Sequence, residues 1–274
     1  MFRNLKIPYR LVILLCLSIL VSIESNAKDW KKIKSISLPS PVMDVSIDRY
    51  GLFYYADDDG NIYKYDTLGV LQFTYSPPRK ADITLLEAWR NVNIFVFYRS
   101  LQEFVLLDRF LAPSPNEPLS SPQIGYARLA SFSSDNNMWL IDETDFSLKK
   151  YNLSYSTVDL NTPLDLLLDA SLYDLNFIRE YQNLVFLNDK NSGVLIFDNM
   201  GNYKTKIPVK GLPIVGLYND EIYFQEGDKI KFINVYTYLE RSENLPETGA
   251  FSFVLYTQSG LYLFKNSSIE VYKR

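Results

Sequence analysis

Residues 48–69 read DRYGLFYYADDDGNIYKYDTLG, and this stretch decides the fold. Two aromatic-rich segments, 52–56 and 62–65, flank the turn Asp57-Asp58-Asp59-Gly60-Asn61, and Asp66-Thr67-Leu68-Gly69 closes the unit. Aromatic and β-branched residues suit a pleated, half-buried surface. Asp, Asn and Gly suit the turns, because their side chains bond nearby amides or, for Gly, allow positive φ. The unit therefore reads as a β-hairpin with a second turn leading out of it.

Five weaker copies follow, at 92–108, 136–152, 182–198, 220–234 and 259–273. Their equivalent apolar anchors are Leu52, Ile94, Met138, Leu184, Ile222 and Leu261, spaced by 38 to 46 residues. The second strand of each copy but the last ends in Asp66, Asp108, Asn152, Asp198 or Asn234, ready to close a turn. A hairpin repeating at this period is what a β-propeller blade requires. An apolar strand precedes each hairpin, at 42–46, 83–88, 129–132, 173–178, 214–217 and 251–256, and supplies the inner strand. Outer strands follow, as at 70–75 and 203–207.

The last copy runs to Arg274 without an outer strand, whereas 32–38, KIKSISL, alternates apolar and polar residues and has no blade of its own. The expectation is an all-β, six-bladed propeller of four-stranded antiparallel blades, its ring closed by strand 32–38. Proline distribution agrees. Beyond Pro8, every proline falls in an expected connection between an outer strand and the next inner one, away from central strands. Two stretches are irregular. The segment 112–122, APSPNEPLSSP, reads as a long loop between blades 2 and 3, and 164–174 as a short helix or extended bridge.

The first 27 residues read as a secretory signal. Arg3, Lys6 and Arg10 precede an apolar run, 11–21, and Ser25-Asn26-Ala27 offers small residues for cleavage after Ala27. The run is short for a membrane span, which takes about 20 residues, and Leu15 stands where a lipoprotein signal built on Cys16 needs a small residue. No retained span is expected. The domain organisation is thus a signal at 1–27 and one propeller at 28–274, placed in the periplasm, on the outer envelope or outside the cell.

Composition excludes several chemistries. Without Arg3, Lys6, Arg10 and Glu24, the 28 basic and 32 acidic residues become 25 and 31, a net charge of −6. That balance argues against nucleic acid, whose binders cluster positive charge. There is no histidine, and the single cysteine leaves with the signal. His-based triads, imidazole ligation and thiol chemistry are all excluded. No S-x-x-K or G-x-S-x-G motif offers another nucleophile.

The first unit, Asp48-x-x-Gly51-Leu52-Phe53-Tyr54-Tyr55-Ala56-Asp57 followed by Asn61-Ile62-Tyr63-Lys64-Tyr65-Asp66-x-x-Gly69, resembles the repeat of NHL-type six-bladed propellers. The resemblance implies the architecture and carries no catalytic residue, since fold does not imply function. In lactonase-like six-bladed propellers, inner-strand residues hold calcium over the channel. By that likeness Asp44, Glu87, Asp174 and Asn176 are the candidate set for a calcium-dependent hydrolase. Asp57, Asp59 and Asn61 form a second oxygen-rich group, in which calcium weighs against an ordinary solvated hairpin turn. Otherwise no cofactor is expected.

Tyr98, Arg99, Phe146, Arg79 and Lys80 fall in loops of one rim and are the candidate binding residues, since Tyr and Arg are enriched at interfaces. The favoured expectation is a non-catalytic module that binds a protein or glycan partner, or scaffolds an assembly, in the bacterial cell envelope. The hydrolase is the alternative.

Overall fold

The computed structural model describes residues 29–90, 93–115, 117–119 and 121–274, so the expected signal lies outside the described residues. Six four-stranded antiparallel sheets are arranged as the blades of a propeller. Strand β1 (Lys31–Ser37) comes first in the chain and belongs to the last blade. Blade 1 is β2 (Val42–Ile47), β3 (Phe53–Asp57), β4 (Ile62–Tyr65) and β5 (Leu71–Tyr75). Blade 2 is β6 (Leu85–Glu87), β7 (Ile94–Tyr98), β8 (Glu103–Leu107) and β9 (Glu117–Pro118). Blade 3 is β10 (Ala127–Phe132), β11 (Met138–Asp142), β12 (Ser147–Asn152) and β13 (Thr157–Pro163). Blade 4 is β14 (Leu175–Tyr181), β15 (Leu184–Asp189), β16 (Gly193–Asp198) and β17 (Tyr203–Ile207). Blade 5 is β18 (Gly216–Tyr218), β19 (Glu221–Glu226), β20 (Lys229–Asn234) and β21 (Glu240–Asn244). Blade 6 is β22 (Phe253–Tyr256), β23 (Gly260–Phe264) and β24 (Ser268–Lys273), with β1 as its outer strand.

The closing strand is the one the sequence points to, shifted by one residue. It pairs with β24 from Lys31 opposite Lys273 to Ser37 opposite Ser268. Asp66, Asp108 and Asp198 each accept amides two and four residues on, and so close the turns after their strands as expected. Among the described residues no helix is long and apolar enough to cross a membrane.

Two expectations need correction. The proline-rich stretch is not one loop: Pro113 bridges Leu107 and Glu117–Pro118 forms the outer strand of blade 2. Proline is tolerated there because an outer strand has one edge that needs no donor. The stretch 164–174 is neither helix nor extended bridge. Leu164 is buried and its carbonyl accepts from the amides of Leu167 and Leu168, while the Asp169 carbonyl accepts from Leu172 and Tyr173, giving two successive turns.

The core lies in layers between blades. Tyr54 and Ile62 pack with Leu86, Ile94 and Val96 between blades 1 and 2. Phe53 and Tyr55 pack with Leu255 and Phe264 between blades 6 and 1. Full burial of one such side chain is worth about 1.5–3 kcal/mol, so these layers supply most of the cohesion. Directional bonds then fix how adjacent blades meet. Gly216 lies against the ring of Tyr223, where an added Cβ would stand 2.0 Å away. That close approach positions the Tyr223 hydroxyl to accept from the amide of Tyr256 in blade 6 at 3.1 Å.

At the closing junction the buried Tyr262 hydroxyl reaches the carbonyls of Gly51 at 3.1 Å and Thr67 at 3.3 Å. Tyr262→Phe should lower unfolding free energy by about 1–2 kcal/mol, because both carbonyls lose their donor in a buried place. Urea denaturation measures this. An unchanged midpoint would show that the hydroxyl does not fasten blade 6 to blade 1.

Candidate functional site

Inner strands of a propeller leave one edge unpaired along the channel, and their buried amides need acceptors from elsewhere. Here the preceding blade provides them. Asp44 Oδ2 accepts from the Leu86 amide at 2.6 Å, and Ser46 Oγ accepts from the Ala88 amide at 2.9 Å. Glu87 Oε2 accepts from the Ser131 hydroxyl at 2.8 Å and the Phe132 amide at 3.3 Å. Ser131 Oγ in turn accepts from the Glu180 amide at 3.3 Å. Asn176 acts at the next junction, donating to the Pro213 carbonyl at 2.7 Å.

Of the four residues proposed for calcium chemistry, Asp44, Glu87 and Asn176 lie on inner strands and are engaged with neighbouring blades. Asp174 does not lie on one. It precedes β14, half exposed, and pairs with Lys190 at 3.1 Å and Arg128 at 3.5 Å. Among the described residues no three carboxylates gather into a group that could hold a metal ion. Asp44, Glu87 and Asn176 are each engaged with a neighbouring blade.

The channel beside them encloses about 340 Å³, with Asp44, Asn176, Arg179, Lys190, Phe177 and Tyr223 on its wall. Burial pushes the Asp44 carboxyl up to about 6, against the opposing pull of its amide donors and the Arg179 guanidinium. Burial also raises Glu87, with Arg179 again opposing.

The second oxygen-rich group is a turn. Asp57 Oδ1 accepts from the amides of Asp59 at 3.0 Å and Asn61 at 2.8 Å. Its Oδ2 accepts from the Asn61 side chain at 2.9 Å and the Tyr63 hydroxyl at 3.1 Å. Gly60 takes φ +84°, as this turn demands, and Asp59 is paired with Lys80 at 2.5 Å. A cation here would have to displace donors from both carboxylate oxygens of Asp57.

On the same rim, Arg79 pairs with Glu103 at 2.7 Å, and Arg99 is exposed with its amide bonded to Thr84 Oγ1. Tyr98 is a correction: it ends β7 and is only 2% exposed, because strand alternation turns its ring into the layer between blades 1 and 2. Phe146 is half-buried, its ring 4.7 Å from that of Tyr173. Three of the five expected binding residues thus remain at the surface of this rim.

The opposite mouth is formed by the segments between first and second strands, at 48–52, 88–90 with Asn93, 133–137, 182–183, 219–220 and 257–259. Two cavities of about 410 and 380 Å³ open there and share Arg49 and Trp89. The Trp89 ring lies 4.8 Å from that of Tyr181, and Arg90 reaches Glu180 at 3.5 Å. Glu180 is buried and accepts from the Ser133 hydroxyl, the Ser134 amide and the Trp139 indole. Burial would raise its pKa, but these donors outweigh it and hold it below the usual range. Trp89 Nε1 and Arg90 Nε are buried donors with no partner in the protein. This mouth was not singled out from sequence. The signal was Trp89-Arg90 beside an inner strand, which periodicity alone could not distinguish from core packing.

No family profile matches the sequence, and no curated protein sequence does. Solved structures do match in fold. A streptogramin B lyase structure has a TM-score of 0.62 at 13% identity, covering 89% of this chain and 97% of that one. A catalytically inactive histidine-to-alanine variant of virginiamycin B lyase from Staphylococcus aureus, solved with quinupristin, has a TM-score of 0.56 at 12% identity, covering 86% and 83%. YCF48 bound to D1 peptide has a TM-score of 0.55 at 10% identity, covering 89% and 97%. At these identities the likeness establishes the propeller fold and nothing finer.

The channel wall has a measurable pH signature. Asp44 binds its proton more tightly folded, near 6, than unfolded, near 3.8. Stability from its neutral form is complete below about pH 4 and is lost as pH rises through 6, with Glu87 acting in the same direction. In thermal melts between pH 4 and 7, the Asp44→Asn variant should lose part of the fall in midpoint seen in the wild type. Parallel profiles would contradict the burial of an ionising Asp44.

Proposed function

We propose that this chain is a non-catalytic binding module, exported after cleavage behind Ala27, that presents a channel mouth to a protein partner in the cell envelope. The observation that carries this reading is the commitment of the inner carboxylates: Asp44, Glu87 and Glu180 each hold backbone or hydroxyl donors of an adjacent blade. An enzyme of this fold would need reactive groups free at the channel, and these are occupied. Histidine supports the same conclusion. The lyase structurally similar to this chain is inactive when a histidine is replaced by alanine, and this chain has no histidine at all. A related fold bound to a peptide, YCF48, gives precedent for a protein ligand.

Export rests on the N-terminal pattern, with its basic residues, short apolar run and small residues before Lys28. Periplasm, outer envelope and medium all satisfy that pattern.

Site-specific photo-crosslinking tests the module in its own cell. A benzophenone side chain is placed at exposed Tyr50 on one mouth and at Phe253 on the other. The expected result is one discrete adduct of the exported, cleaved protein, formed from one mouth and identified as a protein by mass. Adducts absent at both positions, with the fold intact by circular dichroism, would overturn the reading.

A further inference from the structure

We propose that the mouth built around Trp89 binds an extended acidic peptide, whose apolar side chains sit against Trp89 and whose carboxylates meet Arg49 and Arg90. This deepens the binding-module reading and rests on it. Three independent features of the mouth converge on that ligand.

The first is shape. The two cavities meet at Arg49 and Trp89, so together they run across the channel mouth from Phe132 and Asn136 of blade 3 to Tyr218 and Thr257 of blades 5 and 6. A groove that crosses several blades suits an extended chain better than a compact ligand. Its walls carry aromatic rings, Trp89, Phe132, Tyr181 and Tyr218, against which apolar side chains can lie.

The second is charge. Arg49 and Arg90 line the groove, and Lys273 stands at its far end. The carboxylates that line it are committed: Glu180 as described, and Asp48 to the amides of Tyr50 and Leu52 and the Tyr54 hydroxyl. Asp135, in the blade 3 turn, is paired with Lys150 at 2.8 Å. Asp220 stands in the blade 5 turn, outside the lining of both cavities. The lining thus holds three cations against two carboxylates, and with Arg90 already paired to Glu180 the exposed Arg49 is the cation best placed to draw an anionic ligand.

The third is the balance of donors and acceptors. Trp89 Nε1 and Arg90 Nε lack partners but are buried, so the accessible hydrogen-bonding groups of the wall are its side-chain amides. The side-chain amides of Asn93, Asn136, Gln182 and Asn183 each bring a donor and an acceptor to the wall. Peptide carbonyls and carboxylates accept from such groups. Such paired donors and acceptors match the alternating C=O and N–H groups of an extended peptide backbone, and an acidic glycan is the alternative that the test below separates.

The test uses the full chain and defined probes, read by tryptophan fluorescence and calorimetry. The first probe is an acetylated, amidated decapeptide alternating Glu with Phe and Leu; the second replaces each Glu by Gln. A third keeps Gln but has a free C-terminal carboxylate, which separates side-chain from terminal carboxylate as the source of charge. Oligogalacturonate is the glycan probe. The expected result is binding of a carboxylate-bearing peptide at least tenfold tighter than the amidated Gln peptide, weakening as salt rises.

Arg49→Glu, at an exposed position, should abolish that preference, while Arg79→Glu on the opposite rim should not change it. Trp89→Ala should weaken all peptides together. Equal affinity for Glu and Gln peptides, oligogalacturonate binding in place of peptide, no binding of any probe, or an equal effect of Arg79→Glu would each overturn the proposal. A crosslink from Tyr50 without acidic-peptide binding would sink this ligand class and leave the module reading standing. Absence of both would sink the two together.

Discussion

Everything in this propeller depends on how the inner edge of each blade is satisfied. A four-stranded blade has two edges, and the inner one faces a narrow channel where an unpaired amide is costly. At four of the six junctions a side chain of one blade accepts an amide of the next, and at the other two a side chain donates to a backbone carbonyl of the next. Asp44 and Ser46 serve blade 2, Glu87 serves blade 3 and Ser131 serves blade 4. Asn176 reaches the segment entering blade 5, Tyr223 serves blade 6, and Tyr262 returns to blade 1. Apolar layers between blades give the cohesion, and these bonds fix the angle and register at which the layers meet.

This constraint also determines what the channel can do. Carboxylates near a propeller axis invite a catalytic reading, and their raised pKa values reinforce it. Here the same burial that raises Asp44 and Glu87 accompanies their bonds to adjacent strands. Arg179 faces both, and its guanidinium reaches the Leu86 carbonyl at 3.4 Å. The channel is a polar seam that holds the ring.

Much of the fold was legible because its signals are local. The carboxylates at 66, 108 and 198 announce turns by their own chemistry, and the six hairpins announce blades by their spacing. The unpaired strand near the N-terminus found its place because the last copy lacked an outer partner. Direction across a strand was less legible. Tyr98 sits one residue before a turn, and only the register of β7 against β8 tells that its ring faces inward. Asp44 lies beside a shift in register between Val42 and Asp44, which alternation cannot foresee. Asp174 fell just outside its strand because β14 begins at Leu175, two residues later than the expected strand 173–178. Trp89 was hidden for another reason. A large aromatic residue next to an inner strand is ordinary core material until the chain around it is known to turn there.

Native-state hydrogen exchange at the amides of Leu86 and Ala88 tests the central claim most directly. These two amides point to the channel and have side-chain acceptors, Asp44 and Ser46, from the preceding blade. The expected result is protection comparable to that of ladder amides in β7, lost selectively at Leu86 in Asp44→Ala and at Ala88 in Ser46→Ala. Rapid exchange at both amides in the wild type would mean that channel water satisfies the inner edges. The ring would then not be held by its side chains, and Asp44 and Glu87 would again be free for chemistry.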